Sequence, residues 1–525
     1  MINRKLFIFI LIFIFLPILS ACNSAKKPDN FLIVALRSDP LFLNPVTASE
    51  MSSQTVNSLI FNALVKYNEK MEIEPDLAES YEVSGDNKTW TFYLKKGVKW
   101  HDGSDFTSKD VKFTFEKLFD KKTNTFNRGL FQINGEEPKI TVLDDYTVSF
   151  ELPEPFTPFL SNLTQMGIIP EHILKNEDIN RSFFNSHPIG TGPFVFSEWR
   201  SSERVILKAN PNYFNGKPKL KGLVFNIIPS SESRRIALMT DCVDISEITS
   251  EDLRALESCS NIIIYRWDQF AYYYMGFDLT AKPFDDRNVR RAINYALNKE
   301  QIIKAIFKDN AIRATGPIPK ASRYYCDSVE TYAQDKLKAE KLLRESGWIK
   351  DKNGIFVKDG RKFEFELIYP SGNAPCEKAA VFIQAQLKDI GVVMNLKAME
   401  FSALLNCCYP GKFQAIILNW VEMIDPDCYT EWHSSQMGDL GMNFMSYSNE
   451  KVDKLLKEGR IQSDSSKRME IYRQFQHEVV SDSPYVFLWI PKGLTAVSKR
   501  VKGNTIPNAG GIFMNSEKIY LEKEL

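Results

Sequence analysis

His101, Asp102 and Asp105 stand within five residues of one another in "KWHDGSDFTSKDVKFTFEKL", which spans Lys99 to Leu118. An imidazole beside two carboxylates could serve general acid–base chemistry or bind a divalent metal. The flanking residues favour a different reading. Upstream, "TWTFYLKKGVKW" alternates apolar and polar residues at Trp90, Phe92 and Leu94, breaks at Gly97 and resumes at Val98 and Trp100, which predicts two strands. Downstream, Thr107 followed three positions later by Asp110 forms a capping-box pattern that opens a helix with an apolar face of Val111, Phe115, Leu118 and Phe119. "HDG" between them is then a turn, and its polar side chains are local punctuation.

No other stretch carries a catalytic or metal signature. The five histidines, at 101, 172, 187, 433 and 477, are too scattered to form a ligand spacing, and the chain contains no CxxC, GxxxxGK[ST], HExxH or GxSxG. In "PIGTGPF", Gly190 and Gly192 run into Pro193 rather than into a helix, so they form a turn and no dinucleotide fingerprint. No metal, cofactor or catalytic residue is expected, and an enzyme such as an exported hydrolase is the least favoured class.

The elements that would position any site come from a large chain. Its 525 residues, 44% hydrophobic and 12% aromatic, can bury more than one core. With 66 basic and 66 acidic residues no net field points toward nucleic acid or an anionic surface. The N-terminus reads as an export signal: Arg4 and Lys5 precede an apolar run from Leu6 to Leu16, then Ser20 and Ala21 lead to Cys22. "LSAC" resembles the lipobox of bacterial lipoproteins, which implies cleavage before Cys22 and lipidation of its thiol. Residues 1–21 are then the signal peptide and 22–30 a lipidated tether, anchoring an exported protein to a membrane. Asn23 after the cysteine would permit outer-membrane sorting in a two-membrane bacterium. The other seven cysteines, at 242, 259, 326, 376, 407, 408 and 428, are too sparse for a dense disulfide framework, although one to three bridges are possible in an exported chain.

After Asn210 the chain repeats strand and helix. "LVFNIIP" is followed by "SESRRIALMT", and "FEFELIYPS" by "EKAAVFIQAQLKDIG" and "VVMNLKAM", which predicts βα units with Gly391 capping the helix over Glu377–Asp389. "WIKDKNGIFVKDGRKF" reads as a hairpin around Asn353 and Gly354.

Several collinear segments carry a resemblance. "PDLAESYEVSGDNKTWTFYLKKGVKWHDGSDFTSKDVKFTFEKL", then "PIGTGPFVFSEW", "LKANPNYFNGKP", "FDDRNVRRAINYALNKEQII", "AEKLLRESGW" and "IQAQLKDIGVVM" resemble, in order and over about residues 31–495, the dipeptide and oligopeptide solute-binding proteins of ABC importers, family 5. The resemblance implies an α/β, two-lobed periplasmic-binding-protein fold (type II, cluster C) with an extra inserted domain. On that template lobe I covers 31–48, 186–268 and 489–525, the insert 49–185 and lobe II 269–488, with "AYYYMGFDL" and "SPYVFLWIP" as candidate hinge crossings. It also implies a monomer that captures peptides between its lobes and delivers them to the membrane subunits of an ABC permease. Other ligands on this fold include metal chelates, haem, sugars and cell-wall peptides.

The resemblance further implies a carboxylate for the ligand's N-terminal ammonium, shortly after a tryptophan that ends a lobe II strand. Here "FQAIILNW" is followed by "VEMIDPDCYTEW", so Trp420 is the cleft aromatic and Glu422 or Asp425 the ammonium partner, with Asp427 a weaker option. The family's usual aspartate position, three past the tryptophan, holds Met423; one deletion brings Glu422 there. A turn beginning at Asp425 is the bland alternative for "IDPD". Lys378, near the start of the helix "CEKAAVFIQAQL", is the corresponding candidate for the ligand carboxylate, with a plain surface lysine as the alternative.

Overall fold

The computed structural model describes residues 28–408, 411–438, 441–503 and 511–522; the signal, Cys22 and most of the tether lie outside them. A twelve-stranded mixed sheet runs through the molecule. In its first half, Phe31–Leu36 pairs in parallel with Gly222–Ile227 and with Ile245–Glu247, and Gly222–Ile227 continues into the antiparallel strands Arg204–Ala209 and Phe194–Arg200. In its second half, Glu364–Pro370 lies parallel to both Val393–Met399 and Ala415–Val421, and Ala415–Val421 pairs antiparallel with Ala271–Phe277.

The halves are joined by the 14-residue strand Tyr485–Ser498, rich in aromatic and β-branched side chains. Tyr485 to Trp489 pair with Tyr273–Gly276, and Trp489 to Pro491 with Ala311–Arg313. From Lys492 onward the partner becomes Ile262–Asp268, with Ile245–Glu247 on the other side. The change of partner falls between Pro491 and Lys492, three residues past the expected 488/489 junction. The outward crossing falls between Asp268 and Ala271, and Lys492 forms an ion pair with Asp268 there.

Alternation along Phe31–Leu36 shows how the first half is built. Leu32, Val34 and Leu36 enter one core, while Ile33 and Ala35 enter another on the opposite face. The first of these cores extends into an inserted unit whose four-stranded sheet runs Ala78–Val83, Thr89–Leu94, Thr147–Glu151, Lys139–Asp144. The second half has a separate core, reaching from Tyr272 to Ile490. The second-half core, joined to the two first-half cores through the crossing strands, forms a second lobe that can rotate about those crossings.

The βα units form as their patterns predict. Ser231–Met239 follows Gly222–Ile227, and the helix after Glu364–Pro370 runs over Ala374–Ile390, ending on Gly391 with φ 91°. The extra turn at its start comes from Asn373, which accepts the Cys376 N–H, with Pro375 beside it. The hairpin at Asn353–Gly354 gains a third strand, Arg361–Lys362. One expectation changes: "TWTFYLKKGVKW" gives a single strand, Thr89–Leu94, and only an isolated bridge from Lys99 to Asp105 beyond it. Gly97, at φ 78°, turns the backbone off the sheet line, while Val98 and Trp100 still fill the core. All seven described cysteines are free thiols.

Candidate functional site

The opening "HDG" segment is structural. His101 lies against the Gly190–Gly192 turn: its Nδ1 accepts the Gly190 N–H at 3.2 Å and its Nε2 meets the Gly192 carbonyl at 3.0 Å. Burial depresses its pKa to about 4, which keeps the ring neutral near pH 7. Asp102 pairs with His172 at 2.7 Å, and Asp105 with exposed Lys99 at 2.6 Å. Asp110 accepts from the Thr107 N–H at 2.9 Å, opening the helix Ser108–Phe119. Each group that prompted the catalytic reading holds this turn and helix together or ties them to the Gly190–Gly192 turn or, through His172, to the short helix Glu171–Leu174.

The site implied by the resemblance is assembled at the carboxyl edge of the second-half sheet. Glu364–Pro370 and Ala415–Val421 are parallel, so the loops leaving them, residues 371–373 and 422–428, emerge at the same edge, where open α/β sheets hold ligands. This edge meets the inserted unit. The Thr157 N–H donates to the Arg460 carbonyl at 2.7 Å, Thr157 Oγ1 to the Gln462 carbonyl at 3.0 Å, and Gln165 Nε2 approaches Met423 Sδ at 3.3 Å. A cavity of about 340 Å³ lies between the two, lined by Trp90, Phe156 and Leu160 on one side and Tyr324, Asp425 and Arg468 on the other.

Trp420, one residue before the end of its strand, lies opposite Tyr272 and is half-buried. Its indole stacks on Tyr274, at 6.2 Å and 18°, and on Phe444, at 5.5 Å and 23°. The Glu422 N–H then donates to the Phe270 carbonyl at 2.6 Å, the last main-chain tie before the loop. Glu422 Oε1 is buried and accepts no hydrogen bond. The Tyr272 hydroxyl lies beside this carboxylate, near enough to favour its charged form but beyond good hydrogen-bond geometry. Burial pushes the Glu422 carboxyl well above the usual range, and Glu431 pushes it further.

The aspartates of "IDPD" are engaged differently. Asp425 receives both Arg468 Nη atoms, at 2.6 and 2.7 Å, and that guanidinium is buried and also bonds the Gly459 carbonyl. Asp427 takes Arg460 Nε on its two oxygens, at 2.8 and 3.0 Å, and the same guanidinium lies 3.8 Å from the Tyr429 ring centroid. Both pairs are saturated arrangements that tie the loop to the helices Glu450–Ile461 and Ser465–Asp482. Of the three acids considered after Trp420, only Glu422 keeps a buried oxygen without a donor.

Lys378 is exposed on Ala374–Ile390, near the helix N-terminus at the same sheet edge, and forms no ion pair among the described residues. That helix packs against Tyr273, whose phenol nears Asn373 and Cys376; Tyr272, Tyr274 and Trp420 occupy the opposite face. Lys378 and Glu422 therefore approach the edge from opposite sides of the sheet.

Sequence reasoning passed over four residues that shape this site: Arg468, Arg460, Tyr272 and Glu431. Glu431, on the short helix Tyr429–Trp432, also keeps a buried oxygen, Oε2, without a donor, and burial followed by the nearby Asp427 raises its pKa to about 7. Nothing in the spacing of "DCYTEW" marks that glutamate, because its burial is set by residues of distant strands.

Two lobes with separate cores, joined by crossing strands around a cleft that an inserted unit helps to close, define a two-lobed solute-binding protein. The chain belongs to the bacterial extracellular solute-binding proteins, family 5, whose model (the family's middle region) matches residues 72–439. It is 31% identical over 518 residues to the oligopeptide-binding protein AppA of Bacillus subtilis, covering 96% of this chain and 94% of that one. Among solved structures, the ABC transporter substrate-binding protein CtaP of Listeria monocytogenes superposes with a TM-score of 0.85 at 30% identity, over 94% of this chain and 99% of that one. NikZ of Campylobacter jejuni, in complex with Ni(L-His), superposes at 0.80 with 31% identity, over 94% of this chain and 100% of that one.

Proposed function

We propose that this protein captures peptides in the cleft between its lobes and hands them to an ABC permease, with Glu422 receiving the ligand's N-terminal ammonium. The observation that carries this reading is the orphaned Glu422 carboxylate at the sheet edge facing the insert. A buried acid without a donor is costly, and a ligand ammonium would supply both the charge and the hydrogen bonds it lacks. Asp425 is the alternative partner, at the cost of breaking its pair with Arg468. Trp420 forms an aromatic wall beside the ammonium, and Lys378 is the candidate for a ligand carboxylate. In this reading residues 31–48, 186–268 and 489–525 are lobe I, 49–185 the insert and 269–488 lobe II; a core of its own over Tyr272–Ile490 supports lobe II as a unit, while lobe I and the insert share one. The protein acts as a monomer without cofactor or catalysis, held on the periplasmic side of a bacterial membrane or at the cell surface by lipid on Cys22.

The family also includes relatives named for other ligands, such as NikZ with Ni(L-His). Acids with unpartnered oxygens at the candidate site favour a cationic ligand end over an anionic chelate. Calorimetry with matched free-amine and N-acetylated peptides tests the reading. Free-amine peptides should bind the parent at least about 30-fold more tightly than acetylated ones, the scale set by ~2–5 kcal/mol for a desolvated ion pair. Glu422→Gln should remove that difference. If Asp425→Asn removes it and Glu422→Gln does not, Asp425 holds the role; if neither does, the ammonium site is elsewhere or the ligand is not a peptide.

A further inference from the structure

Two acids at this edge, not one, hold a buried oxygen without a donor: Glu422 through Oε1 and Glu431 through Oε2. They interact, since the charge of Glu431 bears on the Glu422 carboxyl. Tyr272, wholly buried, adds a hydroxyl beside Glu422 that has no hydrogen-bond partner of its own. The groups facing the pair from the surrounding elements are the phenols of Tyr272, Tyr274 and Tyr485, the Cys428 thiol, the Thr430 hydroxyl, Asp427 and Arg460. The cations here are already taken, Arg460 by Asp427 and Arg468 by Asp425. With those pairs balanced, this edge beside the cavity holds two acids with an unpartnered buried oxygen each and no free cation among the described residues to meet them.

We propose that Glu422 and Glu431 together form a receptor for a peptide end bearing two positive charges, the N-terminal ammonium and the cationic side chain of a basic first residue, with Glu431 setting the preference for the second charge. The inference rests on the peptide reading above and narrows its substrate class. Desolvation of their buried oxygens opposes ionisation of both carboxyls, and the charge of Glu431 opposes it further at Glu422, so the empty pair holds protons. A ligand with one cation lets one carboxyl ionise; a ligand with two lets both ionise. Each carboxylate formed on binding releases one proton to solvent, so charge and protons balance without a co-reactant.

The probes are Lys-Ala-Ala-Ala and its norleucine analogue, which differ by the side-chain ammonium, titrated calorimetrically at pH 6 in two buffers of unlike protonation enthalpy. The lysyl peptide should bind the parent about tenfold or more tightly, with roughly one further proton released per peptide. Glu431→Gln should abolish both differences while leaving the norleucyl peptide within about threefold of its parent affinity, whereas Glu422→Gln should weaken both peptides by about tenfold or more. Equal affinities and equal proton release in the parent overturn the inference, and need no variant. So does a lysyl preference that persists in Glu431→Gln. N-acetyl-norleucyl-Ala-Ala-Ala separates the two levels: if acetylation leaves affinity unchanged the ammonium reading itself falls, and if acetylation abolishes binding without any lysyl preference only the second-charge inference falls.

Discussion

Glu422 and Asp425 lie three positions apart and are opposite electrostatic cases. Asp425 is locked in a buried bidentate pair, so Asp425→Asn leaves Arg468 uncompensated and should cost ~3–5 kcal/mol. A thermal melt of the empty protein checks it; a variant as stable as the parent would show that the pair carries little. The glutamates behave the other way. Glu431 has a folded-state pKa of about 7, above its ordinary 4.5, and Glu422 is shifted in the same direction. The folded state therefore binds more protons than the unfolded one between those values. Stability from Glu431 is present below about pH 4.5 and lost as pH rises through 7, and Glu422 contributes in the same direction. Glu431→Gln, which cannot ionise, should gain on the parent as pH rises from 5 to 8, by a melting-temperature difference of roughly 2 °C or more. A difference that stays flat over this range would mean that Glu431 ionises freely in the empty protein.

At the level of elements, the turn "PIGTGP" shows how tightly the insert is fastened. Gly190 and Gly192 pass over the end of the helix Met51–Ile60, where the Gly192 N–H donates to the Ile60 carbonyl at 2.8 Å. A Cβ at Gly190 would stand 1.9 Å from that carbonyl oxygen, which is backbone and cannot swing away. Gly190→Ala should destabilise the protein by more than the ~1–3 kcal/mol typical of overpacking, while His101→Asn, at the rim of the same turn, should cost less. Denaturant unfolding ranks the two, and parental stability in Gly190→Ala would show that the turn can move as a unit.

For the whole molecule, separate cores in the two lobes joined by strands make lobe motion the expected response to ligand. The hydrogen bonds from Thr157 and Gln165 to the second lobe belong to a form in which the insert touches that lobe. A mixed peptide pool should raise the melting temperature and reduce the radius of gyration in small-angle scattering; no change in either at saturation would count against hinge closure. Anchoring is read at the same scale. Cys22→Ala should leave protein that is soluble or retains its signal, and a processed variant that still partitions into the detergent phase would refute the lipobox reading.

The chain by itself determined its architecture and much of its local geometry. Periodicity gave the βα units, and the capping residues Thr107 and Gly391 marked helix ends, because these depend on neighbours a few positions away. Collinear motifs gave the family, and the segment after Trp420 was narrowed to a few acids. Which acid is free was decided only by the tertiary structure. Asp425 and Asp427 find Arg468 and Arg460 more than thirty positions downstream, while Glu422 and Glu431 each turn one buried oxygen toward Tyr272 and Tyr485 of the strands 271–277 and 485–498, where phenols stand in place of a cation. Charge pairing and desolvation depend on what lies within a few ångströms in space, and pairs this distant in sequence leave no periodicity to read.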